Sequence, residues 1–217
     1  MRTTRAQSLH PVVVSLRSVG MVDCLTQVNA LLNQPNTFSR NSEHIICLVS
    51  LFLDSYEHLD AAAYGDNSYS DELRPLLATI GDPTAIIPFD VDIVLAKMMK
   101  VLLRKGPNRA SLGKNGMTSI IKSIQRIQAK SADNIIAAAE MCNAILNSCY
   151  DGANVKLLIE QDGVRPILRF LKYDDTAVIA GALGVLQGVC YVPVGRQYVR
   201  QDGKVFIATS LHSYCFV

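Results

Sequence analysis

The chain has 217 residues, of which 49% are hydrophobic and 18% are charged, and its formal net charge is +2 at pH 7. This hydrophobic fraction excludes a wholly disordered chain, and the nearly balanced charge gives no compositional sign of nucleic-acid binding. The longest apolar runs are about half the roughly 18 residues that a membrane span needs, so no transmembrane helix is predicted. A chain of this length forms one domain or one continuous superhelix.

The N-terminal region allows two interpretations. The first 22 residues contain three arginines and no acidic residue, a composition typical of a mitochondrial transit peptide. The alternative is that the fold begins near Pro11, which the repeat pattern favours, so that only residues 1–10 form a flexible N terminus. No secretory signal peptide is recognised, and we therefore expect a cytoplasmic protein, with a nuclear location as the alternative.

A repeated anchor residue, usually glycine, organises the chain. Within residues 154–171, a short helix is predicted to end at Gly163 and a second helix to begin with Pro166 in its first turn, where proline is tolerated. Glycine suits the junction because a sharp turn needs a positive φ or a close backbone approach. The same apolar pattern recurs at spacings of 52, 44, 47 and 40 residues. The five anchors are Gly20, Glu72, Gly116, Gly163 and Gly203.

A longer apolar helix is predicted before each of the last three anchors, over residues 90–105, 133–150 and 175–192. The second helix superposes on the first after a shift of 46 residues and on the third after a shift of 41, with one apolar face at i, i+4 and i+8. The segment from Ile45 to Ala63 is the predicted counterpart in the first unit, followed by a loop insertion over 64–71. The predicted core includes Leu16, Leu25, Leu112, Ile121, Ile159, Leu168, Leu183 and Leu186.

The succession of Asn-x-x-x-Leu-Ile-x-x-x-Gly over residues 154–163, an apolar helix and a long helix rich in small residues resembles the armadillo repeat family. HEAT repeats are the nearest alternative. The resemblance covers nearly the whole chain and implies an all-α fold, a right-handed armadillo-like superhelical solenoid of about four to five repeats. Residues 1–217 would then form a single domain with an incomplete C-terminal repeat. The family also implies a concave groove, lined by the long third helices, that binds extended peptides.

The chain departs from this family at the residues that bind basic peptides in its nuclear-import members. Those members carry a Trp-x-x-x-Asn pair on the third helix, and this chain has no tryptophan. The alignment places Asn143 and Asn147 at the two positions in one unit, whereas Gly184 and Gly188 take them in the next. A receptor for basic signals is therefore not expected, and the two asparagines are retained as candidate partner-binding residues.

Charge is segregated along the chain. Residues 43–92 contain ten acids and one base, and residues 93–132 contain nine bases and no acid. Lys97, Lys100 and Arg104, at i, i+3 and i+7 of a predicted third helix, share one face. If that face lines the groove, it offers a cationic platform for an acidic or phosphorylated peptide. The alternatives are a solvated outer face or ion pairs with the acidic block of the neighbouring unit.

Motifs for metal binding and catalysis are not found in the sequence. The six cysteines form no CxxC pair and have no histidine at ligand spacing, so reduced structural thiols are expected. There is no HExxH or GxSxG, and the glycine-rich stretch 106–115 has the wrong spacing for a phosphate-binding loop. We therefore expect a non-enzymatic protein without a cofactor or a metal.

The predicted function is a protein–protein interaction scaffold whose partner carries an acidic or phosphorylated segment. Nucleic acid is disfavoured because no aromatic residue lies between Phe89 and Tyr150 to stack on bases. The alternative is a structural solenoid subunit that stacks end to end within a cytoskeletal, axonemal or trafficking assembly. This alternative depends on the segment 210–217, which ends in the apolar residues Tyr214, Cys215, Phe216 and Val217. Solenoids normally close with polar capping repeats, so an uncapped end favours self-association.

Overall fold

The computed structural model describes most of the chain, namely residues 21–34, 37–58, 70–129 and 134–201. These residues form helices and connecting turns without a strand, which confirms the predicted all-α class. Within them, no helix combines the length and the apolarity needed to cross a membrane. The helices are α1 (Met21–Leu32), α2 (Thr37–His58), α3 (Ser70–Ile80), α4 (Phe89–Leu102), α5 (Gly106–Ser111), α6 (Gly113–Ala129), α7 (Ile135–Ser148), α8 (Gly152–Glu160), α9 (Val164–Phe170), α10 (Thr176–Cys190) and α11 (193–201).

Aspartate side chains begin two of the helices. The Asp151 carboxylate accepts a hydrogen bond from the backbone N–H of Ala153 at 2.9 Å at the start of α8, and the Asp175 carboxylate accepts one from Val178 at 2.9 Å at the start of α10. Each bond satisfies an N–H that has no partner within the helix and contributes about 1 kcal/mol. These caps favour helix starts at Gly152 and Thr176.

The helices pack in two rows. The long helices α2, α4, α7 and α10 each contact the next one in that order, and α1, α3, α6 and α9 form a second row in the same way. The short helices α5 and α8 also contact each other. Contacts between α1 and α2, α6 and α7, and α9 and α10 join the two rows. Helices that hold equivalent places in successive predicted units are therefore neighbours in space.

Side-chain amides connect these units at the sequence period. The Asn147 side-chain amide donates to the backbone carbonyl of Lys100 at 2.8 Å, and these residues lie 47 positions apart. The amide of the buried Asn154 donates to the carbonyl of Arg109 at 2.9 Å across 45 positions. Because buried carbonyls without a partner are costly, such bonds favour one register between adjacent units.

The core prediction holds for most of its described members. Ile159 is half-buried, and Leu16 lies outside the described residues. Leu183 was predicted as core, and this is wrong, because 53% of its surface is exposed. The members that are buried are Leu25, Leu112, Ile121, Leu168 and Leu186.

The position of Leu183 follows from a correction in the register of α10. The buried Cys142 and Ile145 of α7 correspond to the buried Ala182 and Val185 of α10, a shift of 40 residues rather than the predicted 41. Since one residue turns a helix by about 100°, this single step moves Leu183 off the buried face. The equivalents of Asn143 and Asn147 in α10 are therefore Leu183 and Gln187, and the predicted Gly184 and Gly188 are wrong. The predicted shift of 46 between α4 and α7 agrees with burial at the corresponding pairs Leu95 and Met141, Ala96 and Cys142, and Met99 and Ile145.

The predicted helix boundaries are close in three cases and wrong in one. The helices expected over 90–105, 133–150 and 175–192 are α4, α7 and α10, with ends displaced by one to three residues. The first long helix, expected to start at Ile45, starts at Thr37.

Several further predictions fall partly or wholly outside the described residues. Of the loop expected over 64–71, Ser70 and Asp71 already belong to α3, and the other residues lie outside the described part of the chain. The flexible N terminus over 1–10, the anchors Gly20 and Gly203 and the segment 210–217 also lie outside it.

Glycine at the junction between α8 and α9 is explained by close packing. A Cβ on Gly163 would lie 2.5 Å from Leu158 Cδ1 and 2.7 Å from Ile121 Cδ1. The positive φ of this turn, 56°, falls on Asp162 instead. Of the two reasons that the sequence offered for the glycine, close approach is therefore the one that applies here.

Candidate functional site

A cleft of about 360 Å³ lies on the row of long helices, where α2, α4 and α7 meet. The predicted cations Lys97, Lys100 and Arg104 all line it, together with Asp54 from α2 and Glu140 from α7. The structure thus brings the three predicted basic residues into one site. Lys97 and Lys100 are half-buried and Arg104 is exposed.

The pattern of α4 explains why these side chains share the cleft. The opposite face of the helix carries the buried residues Leu95, Ala96 and Met99, which pack in the core. A helix that buries that face must turn positions i, i+3 and i+7 of the other side outward. The methylene stems of the lysines can then cover the apolar floor while their ammonium groups reach water.

Lys100 already has an acidic partner. Its ammonium nitrogen lies 2.5 Å from Glu140 Oε2, and the two side chains are 25% and 18% exposed. This ion pair crosses from α4 to α7, as the sequence alternative of pairing between units anticipated, although Glu140 is not part of the acidic block at 43–92. Lys100 is therefore less able to bind an external anion than its neighbours.

The remaining two cations carry the positive potential of the cleft. Among the described residues, neither the Lys97 ammonium nor the Arg104 guanidinium forms an ion pair. Three cations and two carboxylates line the cleft, which gives it a formal charge of +1. A cleft that is partly shielded from water and carries a net positive charge attracts anionic groups of a partner.

The two predicted asparagines have different environments. Asn147 uses its amide nitrogen to hold the carbonyl of Lys100, so it positions the last turn of α4. Asn143 is half-buried on α7 and forms no side-chain hydrogen bond within the described part of the chain. Asn143 therefore has amide hydrogen-bonding capacity that a partner could use, whereas Asn147 uses part of its capacity inside the fold.

An arginine–tyrosine pair that the sequence reasoning missed lies just after the ends of α4 and α7. The Arg109 guanidinium lies 5.8 Å from the ring centroid of Tyr150, whose surface is 68% exposed. Arg109 also donates to the carbonyls of Leu103 and Arg104, at 3.3 and 2.7 Å, just after α4 ends. A cation at this place complements the negative end of the helix dipole.

The arginine contacts to backbone carbonyls recur two units later, just after α10. Arg196 donates to the carbonyls of Cys190 and Tyr191 at 2.8 and 3.2 Å, and Tyr191 is 68% exposed. In the sequence, each arginine lies six residues after the first residue whose carbonyl it binds. This common spacing is the signal that could have revealed both arginines.

A larger cleft, of about 610 Å³, lies between the α1–α2 connection and the loop before α4. Its charged lining residue Asp82 accepts hydrogen bonds from the hydroxyl and the backbone N–H of Thr84, and these bonds lower the pKa of the carboxyl below its ordinary 3.8. Ile86, 86% exposed, also lines it. No predicted site residue lies in this cleft.

The thiols of the described chain offer little chemistry. Cys24, Cys47, Cys142, Cys149 and Cys190 are free. Burial raises the pKa of the Cys142 and Cys149 thiols to about 12, so both stay protonated and unreactive at neutral pH. In the residues that the structure describes, no group of histidine, cysteine, aspartate and glutamate side chains could hold a metal ion.

No protein family, curated protein or solved structure matches the chain.

Proposed function

We propose that the chain is a protein–protein interaction scaffold with the architecture of a right-handed armadillo-like solenoid. The ordered contacts along the two helix rows and the amide bonds at separations of 45 and 47 residues support this architecture. In such a solenoid, α2, α4, α7 and α10 are the third helices that line the concave groove. The cation-lined cleft then lies within that groove.

The partner is an extended protein segment that carries acidic or phosphorylated side chains. The observation that carries this proposal is the convergence of Lys97, Lys100 and Arg104 on one cleft, with two of them outside any ion pair among the described residues. A carboxylate or phosphate placed between Lys97 and Arg104 would form charge-assisted hydrogen bonds, which are stronger than those between neutral groups. Asn143 offers an amide to the same segment on the next helix.

A charge-reversal experiment tests the proposal. The double variant Lys97→Glu and Arg104→Glu should lose a discrete acidic partner in capture from native lysate, read by mass spectrometry. Its matched control reverses an exposed lysine and an exposed arginine away from the cleft, Lys156→Glu and Arg169→Glu. The acidic segment of the captured partner, made as a peptide, should bind the wild type more weakly as salt rises. Equal retention of every partner by both variants would reject the proposal.

The structural-subunit alternative stays a prediction, because the C-terminal segment 210–217 on which it depends lies outside the described residues. Measuring the self-association of the wild type and the charge-reversed variant separates the two functions. A subunit that stacks through apolar contacts should self-associate equally in low and high salt, and charge reversal in the cleft should leave this association intact. The cytoplasmic location likewise stays a prediction.

A further inference from the structure

The cleft contains two carboxylates among its cations. Glu140 lies against Lys100 at 2.5 Å with a side chain that is 18% exposed, and Asp54 contributes a second, exposed carboxylate from α2. Both would face any anion that enters between Lys97 and Arg104. The acidic groups therefore affect which anion the cleft accepts.

Carboxylate and phosphate differ in how well they match the cleft's formal charge of +1. One carboxylate side chain of a partner brings a single negative charge and neutralises the cleft. A phosphorylated serine or threonine brings about −1.5 to −2 charges at neutral pH, so the occupied cleft would become negative. The excess charge would be repelled by the Glu140 carboxylate, which is partly shielded from solvent.

Glu140 is better placed than Asp54 to impose this penalty. Its ion pair with Lys100 holds the carboxylate in the cleft, and the Asn147 amide in turn binds the carbonyl of Lys100. Asp54 is exposed, so solvent and salt screen its charge. Glu140 also neutralises the charge of Lys100, which would otherwise be available to pair with a phosphate.

From this geometry we infer that Glu140 makes the cleft selective for the carboxylate side chains of an unmodified acidic segment and against a phosphorylated one. The inference rests on the proposed function and assigns the partner's chemical class. Phosphorylation of the partner's acidic region would then weaken the complex instead of creating it.

Two peptides that differ only in the anionic group test the selectivity. Both are fluorescently labelled and share a Gly/Ser background; one carries a single glutamate and the other a single phosphoserine at the same position. Binding is measured by fluorescence anisotropy for the wild type, for Glu140→Gln and for Glu160→Gln, which alters an exposed glutamate on α8. Glutamine keeps the size of the side chain and removes its charge.

The wild type should bind the glutamate peptide roughly tenfold more tightly than the phosphopeptide. In Glu140→Gln, the phosphopeptide should gain roughly tenfold in affinity relative to the glutamate peptide, because the repulsion is removed and Lys100 is released. Glu160→Gln should retain the preference of the wild type.

The possible failures of the two proposals are distinguishable. A wild type that prefers the phosphopeptide, or a Glu140→Gln variant that shifts both affinities by the same factor, would overturn the selectivity. The proposed function would still stand in that case if Lys97→Glu with Arg104→Glu abolished binding of both peptides. If the wild type bound neither peptide, both the selectivity and the proposed anion-binding cleft would be overturned.

Discussion

The Arg126 guanidinium lies 2.7 Å from the Asp92 carboxylate, and their side chains are 11% and 2% exposed. Arg126 belongs to α6 and Asp92 to the first turn of α4, and the same guanidinium donates to the backbone carbonyl of Ile80 at the end of α3. One side chain thus joins three helices from both rows. The acidic residue sits near the positive end of α4, which also favours its charge.

Removal of one member of this pair should destabilise the fold strongly. Arg126→Leu removes the cation that pairs with the buried Asp92 carboxylate, and the expected loss is about 3–5 kcal/mol in the free energy of unfolding. Urea denaturation followed by circular dichroism measures it. The control is Arg165→Leu, which breaks an exposed ion pair with Asp162 and should cost less than about 1 kcal/mol. Equal losses in the two variants would show that the buried pair contributes no more to the free energy of unfolding than the exposed pair.

Gly195 should tolerate substitution less well than any glycine with free space around it. A Cβ at this position would lie 2.0 Å from the carbonyl oxygen of Val189, and a backbone atom cannot move away as a side-chain end can. We expect Gly195→Ala to displace α11 and to lower stability by about 2 kcal/mol.

The control for this substitution is Gly113→Ala. A Cβ on Gly113 meets nothing within 4 Å, but its φ of 55° strains an alanine by about 1 kcal/mol. Thermal or urea unfolding of both variants should therefore rank Gly195→Ala as the more damaging. The reverse ranking would mean that α11 packs differently from the arrangement described.

The sequence predicted the helical class and the period because apolar residues recur regularly. It could not align α10 with α7 to within one residue, because Gly181, Ala182 and Leu183 are all compatible with a buried face. The structure resolves this choice: a Cβ on Gly181 would meet Cys142 Cβ at 2.9 Å, so Gly181 packs on α7 and Leu183 turns outward. A one-residue shift between small and apolar side chains carries little signal in hydrophobicity alone.

The candidate site was predictable in part for a similar reason. The i, i+3 and i+7 spacing placed Lys97, Lys100 and Arg104 on one helix face from the sequence alone. The partner of Lys100 was not predictable, because Glu140 lies on another helix and is 40 residues away. Sequence patterns report neighbours on one helix, whereas the charge of a cleft depends on neighbours between helices.

Thiol reactivity should divide the cysteines by burial. The pKa of the Cys142 and Cys149 thiols, raised by burial to about 12 from the ordinary 9.0, leaves almost no thiolate at pH 8. The half-buried Cys47 and Cys190 should therefore be alkylated by iodoacetamide well before these two, as peptide mass spectrometry would show. Rapid alkylation of Cys142 or Cys149 in the folded protein would contradict their burial.

The same burial predicts how stability changes at alkaline pH. Above about pH 9 the unfolded chain loses the protons of Cys142 and Cys149, while the folded protein keeps them up to a pKa of about 12. The unfolded state then binds fewer protons, so the free energy of unfolding should fall as the pH rises through this range. Replacement of both thiols by alanine should make the fall between pH 9 and pH 12 shallower in urea denaturation, relative to the wild type.

Asn143 and Asn147 allow structure and binding to be separated with one substitution type. Asn147→Ala removes the hydrogen bond to the carbonyl of Lys100 and should cost about 1 kcal/mol of stability, whereas Asn143→Ala removes no described hydrogen bond and should cost less. If Asn143 contacts the partner segment, its variant should instead weaken binding of the glutamate peptide without a change in the urea midpoint. Loss of stability in Asn143→Ala with unchanged binding would remove Asn143 from the groove and leave recognition to the cations of α4 alone.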